Sequence, residues 1–352
     1  MSLREGFGPS LRGGTLSSES GFSTAWWLRG AHAQTVWGRL ARGRRRVPLG
    51  REFLATPDGD ELVVDHLDGP ARSPRVVLLH GLEGSSNSVY VQGLLEGIRR
   101  RGWRGAAMNF RSCARDPSDL SRMLPNRRPR LYHSGETSDL DFLVRTLRER
   151  EPETPLLAVG VSLGGNVLLK WRGENPRGGG VAAAAALSTP YDLAASARHM
   201  ESFSGRVYTK GFLATLRPKA ISAAQRFPEA AARIDVGRVL TSRTFWEFDD
   251  AATAPLHEFG GADDYYRRAS SISFLAAIAS PTLCLSAQDD PFLPLEALSR
   301  ARDAAAASPF VEFRVSRRGG HIGWVAGASP WSARYWAEEF VLDWLARVTS
   351  FP

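Results

Sequence analysis

Residues 156–165, Leu-Leu-Ala-Val-Gly-Val-Ser-Leu-Gly-Gly, decide the fold. The run 156–161 is short and apolar, as expected of a strand buried on both faces. It ends in Gly160-Val161-Ser162-Leu163-Gly164, a G-x-S-x-G pattern, and helix-compatible residues follow to about Trp171. A residue at the tip of a sharp strand-to-helix turn sits in strained backbone. The positions two before and two after it crowd each other, so both favour glycine. Such a turn pushes the Ser162 hydroxyl clear of the backbone, at a helix N-terminus that favours nearby negative charge. The bland alternative is a tight turn whose serine merely caps the helix. A strand before and a helix after is the context a nucleophile requires.

Outward from this turn the chain alternates strand and helix patterns. Short apolar runs at 75–80, 106–110, 181–188, 281–286 and 311–315 read as further strands. Leu140, Leu143, Val144 and Leu147 fall at i, i+3, i+4, i+7 and mark an amphipathic helix over 135–150. Another helix is expected near 88–101. A last one, near 330–348, would carry Trp331, Tyr335, Trp336, Phe340, Trp344 and Leu345 along one face. Residues 46–68 hold a Pro57-Asp58-Gly59-Asp60 turn and suggest an antiparallel hairpin. Such alternation predicts an α/β fold, a mostly parallel sheet with helices on both faces. The stretch between the strands at 181–188 and 281–286 is too long for a loop. It should be a helical cap insertion, with helices over 193–216, 218–232 and 264–278. The expected organisation is a loose leader (1–20), a first core part (21–190), a helical cap or lid (191–278) and a second core part (279–352).

A serine nucleophile needs a base and an orienting acid. His321 lies in Gly319-Gly320-His321-Ile322-Gly323, a flexible glycine loop between the last strand and the last helix. Gln288-Asp289-Asp290-Pro291-Phe292-Leu293-Pro294 follows a strand, so its carboxylates project from the sheet's C-terminal edge, where catalytic groups of open α/β sheets gather. Asp290 is the first choice and Asp289 the alternative. The chain order, serine then acid then histidine, is that of the α/β-hydrolases. Two backbone amides are expected to receive a developing oxyanion: Leu163, directly after the serine, and Leu82 in His80-Gly81-Leu82-Glu83-Gly84. His80 itself ends a buried strand and reads as a structural hydrogen-bonding residue, while His32 and His133 show no route to Ser162.

Composition limits the function classes. The chain has 352 residues, 43% hydrophobic and 23% charged, which excludes global disorder. The longest apolar run, 181–187, is far short of the roughly 20 residues a membrane span needs. No signal-peptide core is visible at the start. Two cysteines, Cys113 and Cys284, exclude a disulfide framework and a Cys-rich zinc site. A reducing, cytoplasmic setting is the expectation, with no metal and no cofactor. The net charge of +8 comes almost wholly from arginine, since only Lys170, Lys210 and Lys219 are lysines. The runs at 42–46 and 127–130 could steer anionic partners, yet they lack the interleaved aromatics of a base-stacking platform. Nucleic acid is therefore not expected as a partner.

The stretches HGLEGSSNSVY (80–90), MNFR (108–111), YHSGETSDLDFLV (132–144), GVSLGGNVLLK (160–170), STPYDL (188–193), DDYYRRASS (263–271), DDPFLP (289–294) and GGHIGW (319–324) resemble the YheT-like branch of the α/β-hydrolases, as does WLRGAHAQTVWG (27–38). The resemblance covers about 27–345. It implies an α/β-hydrolase fold with a helical cap and serine esterase or lipase-like activity. It also implies Ser162 as nucleophile, His321 as base and an Asp of the 289–290 pair. Two features depart from the pattern: Ser112 stands where glycine usually follows the NFR motif, and 113–130 is longer and more basic than expected. A carboxylic ester of short or medium acyl length is the expected substrate, with Phe203, Tyr208, Phe212 and Trp246 candidates for an acyl pocket. The alternatives are a phospholipase or lysophospholipase acting on anionic lipids, with weak association at a membrane surface, and a non-catalytic binding protein of the same fold.

Overall fold

The computed structural model describes residues 21–43 and 46–350. The leader proposed for 1–20 lies outside them. An eight-stranded sheet is built from β1 (Gly50–Ala55), β2 (Glu61–Leu67), β3 (Arg75–Leu79), β4 (Arg104–Asn109), β5 (Leu156–Val161), β6 (Val181–Leu187), β7 (Thr282–Ala287) and β8 (Val311–Ser316). Its spatial order is β1-β2-β4-β3-β5-β6-β7-β8. The hairpin β1–β2 is antiparallel, and β2 meets β4 antiparallel. All pairings from β4 through β8 are parallel.

Alternation along the buried strands feeds two cores. Val76, Leu78, Leu157, Val159 and Leu283 face one side, under α2 (Val89–Arg100) and α13 (Trp336–Thr349). Val77, Leu79, Leu156 and Ala158 face the other, under α3 (Ser138–Arg150) and α4 (Leu163–Glu174). On α3 the buried apolar residues are Leu140, Leu143, Val144 and Leu147, the stripe expected from spacing. The helix α12 (Leu295–Ala305) packs Leu298, Ala301 and Ala305 beside Leu169 and Cys284. A helix ahead of the sheet, α1 (Ala31–Ala41), packs near the two-residue strands Val325–Ala326 and Arg334–Tyr335.

Between β6 and β7 the chain is helical, with different divisions from those expected. It forms α5 (Leu193–His199), α6 (Phe203–Arg226), the short α7 (Pro228–Ala231), α8 (Val236–Thr241), α9 (Phe245–Phe248) and α10 (Ala254–Leu256), then α11 (Ala262–Ala269). A π-helical turn spans Asp249–Thr253, and a 3₁₀ segment, Ser271–Ala277, leads back to β7. The helix expected over 193–216 breaks at Met200–Ser202, where the Ser202 hydroxyl accepts the Gly205 N–H and starts a new helix. The break expected before Pro218 is absent, and α6 runs through it. The last helix begins only at Trp336. Trp331 lies before it, 95% exposed, and shares no packed face with Trp344 and Leu345.

The arginine of the NFR motif and Arg130 of the basic stretch after it are spent on ion pairs within the fold, while Arg122, Arg127 and Arg128 stay exposed. Arg111 is buried and bridges Asp139 (2.7 Å), Asp58 (2.8 Å) and Asp60 (3.1 Å), joining the end of β4 to the hairpin turn and α3. Arg127 pairs with Glu61 and Arg130 with Asp58 and Glu136, so these two cations of the 127–130 run are neutralised internally. Ser112, in the position that usually carries glycine, has φ +63°, which explains the usual preference.

Candidate active site

Ser162 occupies the turn between β5 and α4 with φ +54° and ψ −120°. Such a conformation costs a non-glycine residue on the order of 1–3 kcal/mol and persists only where the surroundings impose it. Here they do. A Cβ on Gly160 would stand 2.4 Å from the Gly164 carbonyl oxygen, and one on Gly164 would stand 2.6 Å from the carbonyl oxygens of Leu79 and His80. The Ser162 N–H donates to Leu187 O at the end of β6 (2.8 Å), which pins the turn from the neighbouring strand.

The structure brings Ser162, His321 and Asp290 into one hydrogen-bonded row. His321 Nε2 lies 3.0 Å from Ser162 Oγ. His321 Nδ1 lies 2.8 Å from Asp290 Oδ2 and 3.1 Å from Oδ1. A carboxylate only accepts, so Nδ1 carries the proton and Nε2 is left to accept from the serine hydroxyl. The Asp290 side chain is fully buried, and its Oδ1 also accepts the Phe292 N–H. Asp289 takes another place: its Oδ1 accepts the Gly320 N–H (2.9 Å). Burial, then the adjacent Asp290 charge, pushes the Asp289 carboxyl above the usual range.

The glycine loop around His321 is tethered rather than free. Its backbone takes φ +59° at Gly320, +61° at Ile322 and +42° at Trp324. His321 N–H donates to Thr35 Oγ1 on α1 (2.9 Å), and Ile322 N–H to Ser188 Oγ (3.0 Å). The imidazole stacks on Phe292 at 4.1 Å between centroids. Sequence reading missed Thr35, Ser188 and Phe292. Each acts through a contact with no local periodicity, and the stretch WLRGAHAQTVWG, which holds Thr35, entered only through the family resemblance.

Leu82 and Leu163 both border the cavity beside Ser162, and neither backbone N–H has a hydrogen-bond partner among the described residues. Leu163 is the first residue of α4, where such N–H groups are free by construction. The Leu82 loop lies close by, since a Cβ on Gly81 would stand 3.1 Å from Ser162 Cβ. His80 anchors this loop. Its Nδ1–H donates to Gly81 O (2.8 Å) and its Nε2 accepts the Phe110 N–H (3.1 Å). Burial brings its pKa to about 4, so it is neutral at pH 7.

A cavity of about 1290 Å³ opens over Ser162 and His321, walled by core loops on one side and by the helical insertion on the other. Tyr208 and Phe212 lie on its wall, four residues apart on α6, and both contact Phe292. Phe203 does not. It is 93% exposed, because nine residues along an α-helix place it on the side opposite Phe212. Trp246 is also off the wall. Phe245 and Phe248 face the cavity at i and i+3, whereas Trp246 turns onto Tyr266 (5.0 Å) beneath Arg198. Both pocket assignments are thereby corrected. Among the described residues no group of three or more potential ligands could hold a metal.

Asp249, in the π-helical turn, also reaches this wall. Its carboxylate accepts from Thr253 Oγ1 (2.6 Å) and the Tyr266 hydroxyl (2.7 Å). Burial outweighs these bonds and raises its pKa to about 6 from 3.8. Between those values the native protein holds a proton that the unfolded chain has released, so stability falls as pH rises through about 4 to 6 and is level above. Asp249→Asn removes the titration. In urea melts, the variant's stability relative to wild type should rise over that window by on the order of 1–3 kcal/mol. A pH-independent difference would contradict the assignment.

Residues 74–325 match the α/β hydrolase fold family, and the chain belongs to it. Within the family it falls in the YheT-like branch: it is 36% identical to YheT of Escherichia coli (strain K12) over 317 residues, 89% of each chain. It is 28% identical to the mouse protein named phospholipase ABHD3, over 90% of this chain and 76% of that one. Among solved structures, the Pyrococcus furiosus esterase Pf2001 superposes with a TM-score of 0.52 at 15% identity, over 88% of this chain and 98% of that one; this likeness is one of fold.

Proposed function

We propose that the protein is a serine hydrolase cleaving carboxylic esters of short to medium acyl chains. Ser162 Oγ attacks the ester carbonyl while His321 Nε2 takes its proton. The ester C–O bond then breaks, and the alcohol leaves with that proton. Water, deprotonated by His321, releases the acid from the acyl-serine. Asp290 holds the imidazolium, and the Leu82 and Leu163 amides receive the oxyanion. The insertion serves as the cap, with Tyr208 and Phe212 against the acyl chain. This chemistry calls for no metal or organic cofactor. The single observation that carries the reading is the Asp290–His321–Ser162 row opening onto the cavity. Free, buried Cys113 and Cys284 accord with a reducing, cytoplasmic setting.

A second reading, a phospholipase acting at an anionic lipid surface, draws on the rim of the cavity. Val207 and Trp331 border it and are exposed, and Arg206 and Lys210 lie exposed beside Val207 on α6. Exposed aromatic and basic residues favour a lipid–water interface. A p-nitrophenyl ester series from acetyl to palmitoyl, run beside phosphatidylglycerol vesicles, separates the two. The first reading expects kcat/KM to peak at short or medium chains with no release of fatty acid from vesicles; the reverse pattern establishes the second. Failure of a fluorophosphonate to label Ser162 would refute both and leave a binding protein.

A further inference from the structure

The loop that carries Leu82 is a four-residue turn closed by Gly84 N–H to Gly81 O (3.0 Å). Its third residue, Glu83, has φ +57°, a position where such a turn ordinarily takes glycine or asparagine. A glutamate there is strained, and it is held at both its backbone N–H and its Oε1. Its backbone N–H donates to the Tyr132 hydroxyl (2.8 Å), and that hydroxyl donates back to Glu83 Oε1 (2.7 Å). The same Oε1 receives Lys219 Nζ at 2.6 Å.

Lys219 is not a core residue. It belongs to α6 in the helical insertion, 136 positions away in sequence, with side chains only 11% exposed for Lys219 and 7% for Glu83. Its ammonium also lies 3.4 Å from Cys113 Sγ and 5.4 Å from the Tyr132 ring centroid. Glu83 Oε2 is buried without a partner, so the carboxylate's charge is answered almost wholly by Lys219.

The consequence falls on Leu82. Of three consecutive amides, Gly81 N–H is held by the Tyr90 hydroxyl (2.8 Å) and Glu83 N–H by Tyr132, while Leu82 N–H between them is left free. The aim of that amide is therefore set by its neighbours, and Glu83 is held in its strained conformation by a contact from the insertion. We propose that Lys219 is a positioning residue for the oxyanion-binding amide of Leu82, so that the loop is competent only with the insertion seated on the core. This rests on the serine-hydrolase reading above. The residue touches no reacting atom and acts through Glu83.

The test uses the full chain and p-nitrophenyl butyrate, with kcat and KM determined separately for wild type, Lys219→Met, Lys219→Arg, Glu83→Gln and the Lys219→Met/Glu83→Gln pair. Lys219→Met leaves an uncompensated buried carboxylate that must protonate or turn outward. It should lower kcat by about 10- to 100-fold, less than outright removal of an oxyanion donor, with KM little changed. Fluorophosphonate labelling should slow in parallel, because the phosphoryl oxygen occupies the same amide pocket. Lys219→Arg should restore most of kcat. The double variant, with no stranded charge, should exceed Lys219→Met. An unchanged kcat in Lys219→Met, or a loss confined to KM or thermal midpoint, overturns the proposal. If Lys219→Met does not fold, Glu83→Gln reads the same contact, keeping the Tyr132 bonds and losing the charge; its kcat should fall, and an unaltered kcat is equally fatal. Failure of the underlying reading looks different: Ser162→Ala would then retain activity whatever stands at 219.

Discussion

Ser162→Ala is expected to lower kcat for p-nitrophenyl butyrate by on the order of 10⁴- to 10⁶-fold, leaving a trace that the amide pair and binding alone sustain. The loss is large because no neighbouring group could replace the hydroxyl: His321 Nε2 is aimed at Ser162 Oγ, and His80 is turned to Gly81 and Phe110. Stability should change little. Alanine at φ +54° is as strained as serine, and the hydroxyl's one described partner is His321. Purified variant with wild-type circular dichroism and activity within tenfold of wild type would refute the mechanism.

The elements that place Ser162, His321 and Asp290 were legible because parallel topology leaves few choices. Once the strands β5 to β8 are read as parallel members of one sheet, loops leaving their C-terminal ends must gather at one edge. Gly160 and Gly164 were legible for a local reason, the backbone contact a Cβ would block. The insertion was less legible. Its aromatics were visible, but residue type does not say which face of a helix meets the cavity. The nine-residue spacing of Phe203 and Phe212 already forbids a shared face, whether the helix starts at 193 or at the Ser202 cap, and choosing candidates by aromatic type passed over it. Pro218 misled in the other direction. An interior proline costs about 3 kcal/mol or more, yet Leu213, Ala220 and Ala223 on either side of it bury into one cluster with Val239 and Phe248, and that packing keeps α6 continuous. Contacts such as Thr35–His321 and Lys219–Glu83 join distant residues of unremarkable type, and no pattern along the chain announces them.

The adjacent carboxylates at 289 and 290 give the second large effect, and their roles separate on geometry. Asp290→Asn should lower kcat by on the order of 10⁴-fold, because an amide NH₂ facing His321 Nδ1 favours the tautomer with the proton on Nε2, which then cannot accept from Ser162. The fold should survive, since the Asn side-chain oxygen can still accept the Phe292 N–H that Asp290 now takes. Asp289→Asn retains an acceptor for Gly320 N–H and relieves a buried like-charge neighbour, so its kcat should stay within about tenfold of wild type, with stability equal or higher at neutral pH. Measuring both variants on one ester decides the matter. A collapse at 289 with little effect at 290 would mean that the carboxylate now seen on His321 is not the one that works during turnover, and that the loop following β7 rearranges when substrate binds.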